Sequence, residues 1–107
     1  MYTIVYYQIV ITLYRSDAFN KWLNAVRDRE AVRRIAVCLA RIELGNLGDV
    51  KPVGEGVSEV RIHYGAGYRL YFVQRGKEII IMLGGGDKSS QSHDITKAKI
   101  LAKTYRS

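Results

Sequence analysis

The sequence predicts a single α+β domain over residues 1–107. It has an N-terminal strand, two helices, a mainly antiparallel sheet of three or four further strands, and a C-terminal helix. Its helices are expected to pack on one face of the sheet. Three observations predict this order. Ile4 to Leu13 has the Tyr, Ile and Val content of a strand and is followed by two segments with helical periodicity. Val57 to Phe72 alternates apolar and polar residues about a glycine turn. Ile95, Ala98, Leu101, Ala102 and Tyr105 return to helical spacing at the end.

Each element has its local reason. Ser16 or Asp17 can cap the first helix, whose apolar face is Phe19, Trp22, Leu23 and Val26. Asp28 to Glu30 break or bend the segment. The second helix carries Val32, Ile35, Cys38, Leu39 and Ile42 on one side and Arg33, Arg34 and Arg41 on the other. Gly45-Asn46 is its stop. Pro52 cannot donate to a ladder, so Asp49 to Val53 reads as an edge or bulged strand. Gly65-Ala66-Gly67 is a hairpin turn pairing Tyr64 with Tyr68, Ile62 with Leu70 and Val60 with Phe72. Ile79 to Leu83 is a buried strand by composition, and Gly84 to Ser90 reads as a loop.

Seventeen Lys and Arg against ten Asp and Glu give a formal charge of +7. On a small domain that favours a polyanionic partner: nucleic acid, an acidic protein or an anionic surface. A basic protein without such a partner is the competing reading. Cys38 is the one cysteine, so no disulfide and no CxxC pair is expected, and with two histidines neither is a zinc site. The first residues lack a basic n-region and a cleavage motif and are too short to span a bilayer. A cytoplasmic protein is the expectation, with no membrane partner.

The hairpin carries the functional signal. Period two puts Glu59, Arg61, His63, Arg69 and Tyr71 on one face, with His63 directly opposite Arg69 in the expected register. Two guanidiniums, an imidazole, a carboxylate and a phenol suit an RNA phosphodiester better than a core. A solvated sheet face is the alternative. Arginine forks match phosphate oxygens, and Lys88 on the glycine loop can close on the same phosphate. His63 has the intrinsic pKa suited to acid–base work at neutral pH. Glu59 can act as a base, or pair with Arg61 or Lys51 and hold it. Tyr71 can stack on a base, donate a proton, or simply pack across strands. Asp94 fits a first-turn helix position. The two arginines are expected to point outward, so their removal should cost the fold little. GGGDKSS lacks the GxxxxGK[ST] spacing, which argues against ATP or GTP. No cofactor is expected.

In order along the chain, GNLGDVKPVGEGVSEVRI, GYRLYF and GGGDKSSQ resemble toxins of the RelE/ParE superfamily, most closely the HigB-like addiction module killer proteins. The resemblance spans roughly residues 12 to 104. It implies a RelE-like fold and the toxin of a type II toxin–antitoxin pair. Many such toxins are ribosome-dependent mRNA endonucleases, whereas the ParE branch poisons DNA gyrase on the same fold. A basic nucleic-acid-binding module without catalysis is a third possibility. The arginine of the GYR motif is Arg69, and the basic strand residue is Arg61. Glu59 stands where several relatives have lysine, Lys88 where the loop has Arg or Lys, and His93-Asp94 where some have a tyrosine. The implied partners are a helix-turn-helix antitoxin in a hetero-oligomer, the ribosome and mRNA. Lys51, Tyr71, His93, Arg33, Arg34 and Arg41 are the expected RNA contacts.

Overall fold

The computed structural model describes residues 10–105. Most of the strand expected from Ile4 therefore lies outside the described residues. The elements are β1 (Thr12–Arg15), α1 (Asp17–Ala25), α2 (Arg29–Glu43), β2 (Val50–Gly54), β3 (Val57–Ile62), β4 (Tyr68–Arg75), β5 (Ile79–Gly86) and α3 (Gln91–Ala102). A 3-10 turn, Lys88–Ser90, precedes α3 and another, Lys103–Tyr105, follows it. The sheet order is β1-β5-β4-β3-β2. Every neighbouring pair is antiparallel except β1 with β5.

The helices do not share one face, contrary to the sequence expectation. Phe19 of α1 and Ile35, Leu39 and Ile42 of α2 pack on Val60, Leu70, Phe72, Ile80 and Met82. On the opposite face Ala98 and Ala102 of α3 pack on Val57, Tyr71, Ile81 and Leu83. Alternation along the strands supplies both apolar surfaces. The fully buried residues of α3 are small, Ile95 and Leu101 pack beside them, and Lys97 and Lys103 stay exposed.

Local chemistry sets the boundaries. Ser16 accepts from the Phe19 N–H at 3.1 Å and donates to the Leu83 carbonyl at 3.2 Å, so one hydroxyl caps α1 and ties it to β5. Asp28 caps α2 by accepting from the N–H groups of Glu30 and Ala31. α2 ends in a Schellman arrangement: Gly45, at φ 88°, donates to Ile42, and Asn46 donates to Arg41. Pro52 sits on edge strand β2, beside a bulge.

Two expectations change at the hairpin and the glycines. The observed register pairs Ile62 with Tyr68, Val60 with Leu70 and Arg61 with Arg69. The connection is longer because Tyr64 leaves the strand to bond Asp28. The shift is an even number of residues, so each side chain keeps its predicted face. Gly84 to Gly86 are not loop but the end of β5, opposite Tyr71, Leu70 and Arg69. A bulge at Leu83 turns Gly85 toward α1 and Gly86 toward α3. A Cβ on Gly85 would stand 2.3 Å from Trp22, and one on Gly86 1.8 Å from Asp94 Oδ2. These glycines are places where other side chains come close to a strand.

Candidate functional site

The pairing of β3 with β4 sets Glu59 opposite Tyr71 and Arg61 opposite Arg69. All four lie on the face under α3. Glu59 is wholly buried. Its Oε1 accepts from Arg61 Nε at 3.1 Å. Its Oε2 accepts from Tyr71 Oη at 3.1 Å and from Gln91 Nε2 at 2.9 Å, with Arg69 Nε 3.7 Å away. Burial alone would raise the Glu59 pKa. The hydrogen bonds from Gln91, Arg61 and Tyr71, with the Arg69 charge, outweigh burial and hold it below the usual carboxylate range. An ionised carboxylate surrounded by donors is a poor base and a good clamp. Of the two roles open to Glu59, the geometry fits holding the arginines.

The two arginines are not simply outward. The Arg61 side chain is 35% exposed and the Arg69 side chain 11%. Arg69 also donates from Nη1 to the Gly67 carbonyl at 3.1 Å. Substituting Arg69 removes a cation from beside a buried carboxylate, at a cost of about 1–3 kcal/mol. That corrects the expectation of a cheap surface change. Tyr71 is fully buried, and burial, followed by the Glu59 charge and hydrogen bond, pushes its phenol well up. Its ring offers no face to a base, so the RNA-stacking role is corrected to cross-strand packing and donation to Glu59.

Lys88 joins the cluster from the other side. It is not on a flexible glycine loop but opens the 3-10 turn, and its N–H donates to the Ala66 carbonyl at 3.2 Å. Gly67 touches both it and Arg69: a Cβ there would stand 3.3 Å from Lys88 Cβ and 3.7 Å from Arg69 Nη1. Asp87 caps this turn through Ser89, whose hydrogen bond lowers the Asp87 pKa. Asp94, in the first turn of α3, accepts from Ser90 Oγ at 2.5 Å in the space that Gly86 leaves.

His63 lies just beyond β3, exposed, with Nε2 2.6 Å from Asp49 Oδ2. Its neighbour is a carboxylate rather than Arg69, which instead stands opposite Arg61. His93 is exposed on α3 and Lys51 on β2; among the described residues neither has an ion pair with the cluster. Arg33, Arg34 and Arg41 line a cleft of about 440 Å³ between α2, the 46–49 connection and the end of β3, together with Arg61 and His63. Glu30 ties down two of them, at 2.5 Å from Arg33 and 3.0 Å from Arg34. Arg33 first, then Arg34, brings the Glu30 pKa to about 2. The Arg34 guanidinium also lies 4.7 Å from the Tyr64 ring centroid.

Arg61 belongs to both groups: the buried cluster with Glu59, Arg69 and Tyr71, and the arginine cleft. Sequence reasoning missed Gln91, Ser90, Asp49 and Tyr64 as partners in these groups. Gln91 closes the GGGDKSSQ run, so its position was visible, but its partner Glu59 is brought near only by tertiary packing. Among the described residues no three His, Cys, Asp or Glu side chains are grouped to hold a metal ion. None of the described helices is long and apolar enough to cross a membrane.

Comparison with known proteins places the fold and the family. The α+β fold is of the RelE type. It is shared with a chain of the toxin–antitoxin complex RelBE2 from Mycobacterium tuberculosis, at TM-score 0.51 and 14% identity over 78% of this chain and 97% of that one. The sequence is 42% identical over 84 residues to an "Uncharacterized protein" of Haemophilus influenzae, covering 78% of this chain and 85% of the relative. The chain belongs to the same family as that Haemophilus protein. No family model matches the sequence.

Proposed function

We propose that this chain is the toxin of a type II toxin–antitoxin pair, of the HigB-like branch, and that it cleaves mRNA on the ribosome. The observation that carries the reading is the pairing of Arg61 with Arg69 on adjacent strands around one ionised, buried carboxylate. That arrangement fixes two guanidiniums with their charge toward one place, as a phosphorane requires. Lys88 adds a third cation at the same corner. The RelE-type fold and the basic excess agree with it.

In the proposed reaction the ribose 2′-oxygen attacks the adjacent phosphorus after losing its proton to a base. The bond to the 5′-oxygen breaks, a 2′,3′-cyclic phosphate forms, and the 5′-oxygen takes a proton from an acid. Arg61, Arg69 and Lys88 balance the charge on the phosphorane. His63, backed by Asp49, is the acid–base group that shares the cleft with Arg61. Asp94 and His93 at the start of α3 are the other candidates. Arg33, Arg34 and Arg41 would contact RNA along the cleft. A helix-turn-helix antitoxin would neutralise the protein in a hetero-oligomer, and the site of action would be the cytoplasm.

The test is expression in a bacterium, with mRNA 5′ ends mapped and gyrase supercoiling assayed in parallel. Cleavage on translated mRNA, lost in Arg61→Ala at equal protein level, is the expected result; one such contact carries about two to three decades in rate. Inhibited supercoiling with intact mRNA would replace this reading with a gyrase poison. Efficient cutting of naked RNA that stops with EDTA would contradict the metal-independent, ribosome-dependent mechanism.

A further inference from the structure

Glu59 treats its two arginines unequally. Arg61 Nε donates to Oε1 at 3.1 Å. Arg69 Nε stands 3.7 Å from Oε2, beyond hydrogen-bonding reach. That nitrogen is buried and has no acceptor among the described residues. Buried donors nearly always find a partner, because leaving one unpaired is costly. Here the acceptor is close by and already occupied. A carboxylate oxygen offers two lone pairs. Tyr71 Oη at 3.1 Å and Gln91 Nε2 at 2.9 Å take both on Oε2.

We propose that Gln91 is a positioning residue. Together with Tyr71 it fills Oε2 of Glu59, so that Arg69 stays short of a closed ion pair and the part of its guanidinium not bonded to Gly67 is left for a phosphate oxygen. This rests on the reading of Arg69 as an anion-binding group. Gln91 is the first residue of α3, so the helix that covers this face of the sheet also sets the state of Arg69. Without Gln91 one lone pair reopens. Arg69 then closes on Glu59, which satisfies its Nε–H and draws its charge away from the site. The variant should hold its fold as well as the parent while binding anions less well, a combination that a merely structural glutamine would not produce.

The experiment follows the Arg69 Nε–H by side-chain NMR in the parent and in Gln91→Ala, free and titrated with inorganic phosphate, with melting temperatures alongside. In Gln91→Ala the Nε–H should exchange with water about tenfold more slowly and phosphate should bind about tenfold more weakly. That is the scale of one charge-assisted hydrogen bond. The melting temperature should not fall. Tyr71→Phe, which frees the other lone pair, should move exchange and affinity in the same direction. Unchanged exchange and affinity in Gln91→Ala would overturn the assignment, as would faster exchange with a lower melting temperature. If phosphate leaves Arg69 unperturbed in the parent while exchange still slows in Gln91→Ala, Gln91 keeps its positioning role and Arg69 loses its role as an anion site.

Discussion

Gly85→Ala isolates the packing that places β5. A Cβ at this position would lie 2.3, 2.4 and 2.6 Å from Trp22 Cζ3, Cε3 and Cη2. These are ring atoms of a rigid indole packed against the main core and 5.9 Å from the Phe19 ring, so the whole ring must shift to admit the methyl group. Gly85 does not have positive φ, so backbone strain plays no part. Overpacking of this kind costs about 1–3 kcal/mol, while a compatible Gly→Ala change gains about 0.4–1 kcal/mol through the unfolded chain. The net is a loss of about 1–2 kcal/mol. For a domain of this size that lowers Tm by roughly 5–15 °C. Gly84→Ala is the control on the same strand: its Cβ meets nothing within 4 Å, so only the small gain applies. Trp22 is the single tryptophan, so intrinsic fluorescence reports its displacement directly. Thermal melts by circular dichroism give the stability. Gly85→Ala melting at or above the parent, with unchanged emission, would refute the close approach.

Three further outcomes are expected from the packing and charges described above. Glu59 has a folded pKa below its unfolded value, so between the two the unfolded chain binds more protons. Its contribution is present above about pH 4.5 and is lost as pH falls through the lower folded value; Glu59→Gln should flatten the acid side of a Tm-against-pH curve, and an unchanged slope counts against the clamp. Ser16→Ala removes the α1 cap and the bond to Leu83, at a cost of about 1–2 kcal/mol by denaturant unfolding; a loss confined to a few tenths would mean the cap is dispensable. Arg33→Ala, Arg34→Ala and Arg41→Ala should each weaken RNA binding whatever the sequence, and reduce the slope of log affinity against log salt by about 1; an unaltered slope places the RNA elsewhere.

What the sequence revealed follows the range of the interactions. A cap at Ser16 or Asp17, the break at Asp28 to Glu30, the stop at Gly45 and the edge position of Pro52 depend on near neighbours and were legible; that Asp28 itself caps α2 was not. The faces of β3 and β4 were legible as well, because period two survives an even register shift. The register itself was not, since Tyr64 is drawn from the strand by Asp28 at the head of α2. The side taken by α3 was hidden for a related reason: spacing marks its apolar face of Ile95, Ala98, Leu101 and Ala102 but does not say which side of the sheet that face covers. The glycine run misled because composition cannot distinguish glycines that bend a chain from glycines that admit Trp22 and Asp94. Glu59, Gln91 and Arg69 come from three separate elements, so their shared geometry exists only in the fold.

The cations of this protein then divide by the company they keep. Arg61 is bonded to Glu59, Arg69 stands 3.7 Å from the same carboxylate, and Lys88 follows directly on Asp87, so the corner of the sheet carries far less net charge than its arginines suggest. Such a cluster attracts a polyanion weakly from a distance and holds it in a defined geometry at contact. The helix α2 does the reverse. Arg33 and Arg34 share a half-buried Glu30, but both arginines are solvent-exposed, and Arg41 has no ion pair among the described residues. Long-range attraction therefore belongs to the cleft and local orientation to the buried carboxylate, with Arg61 lining both. Salt screens the first strongly and the second little, because the Debye length at physiological ionic strength is about 8 Å. A rate limited by encounter with RNA should thus fall with salt, while the rate of the bound complex should not.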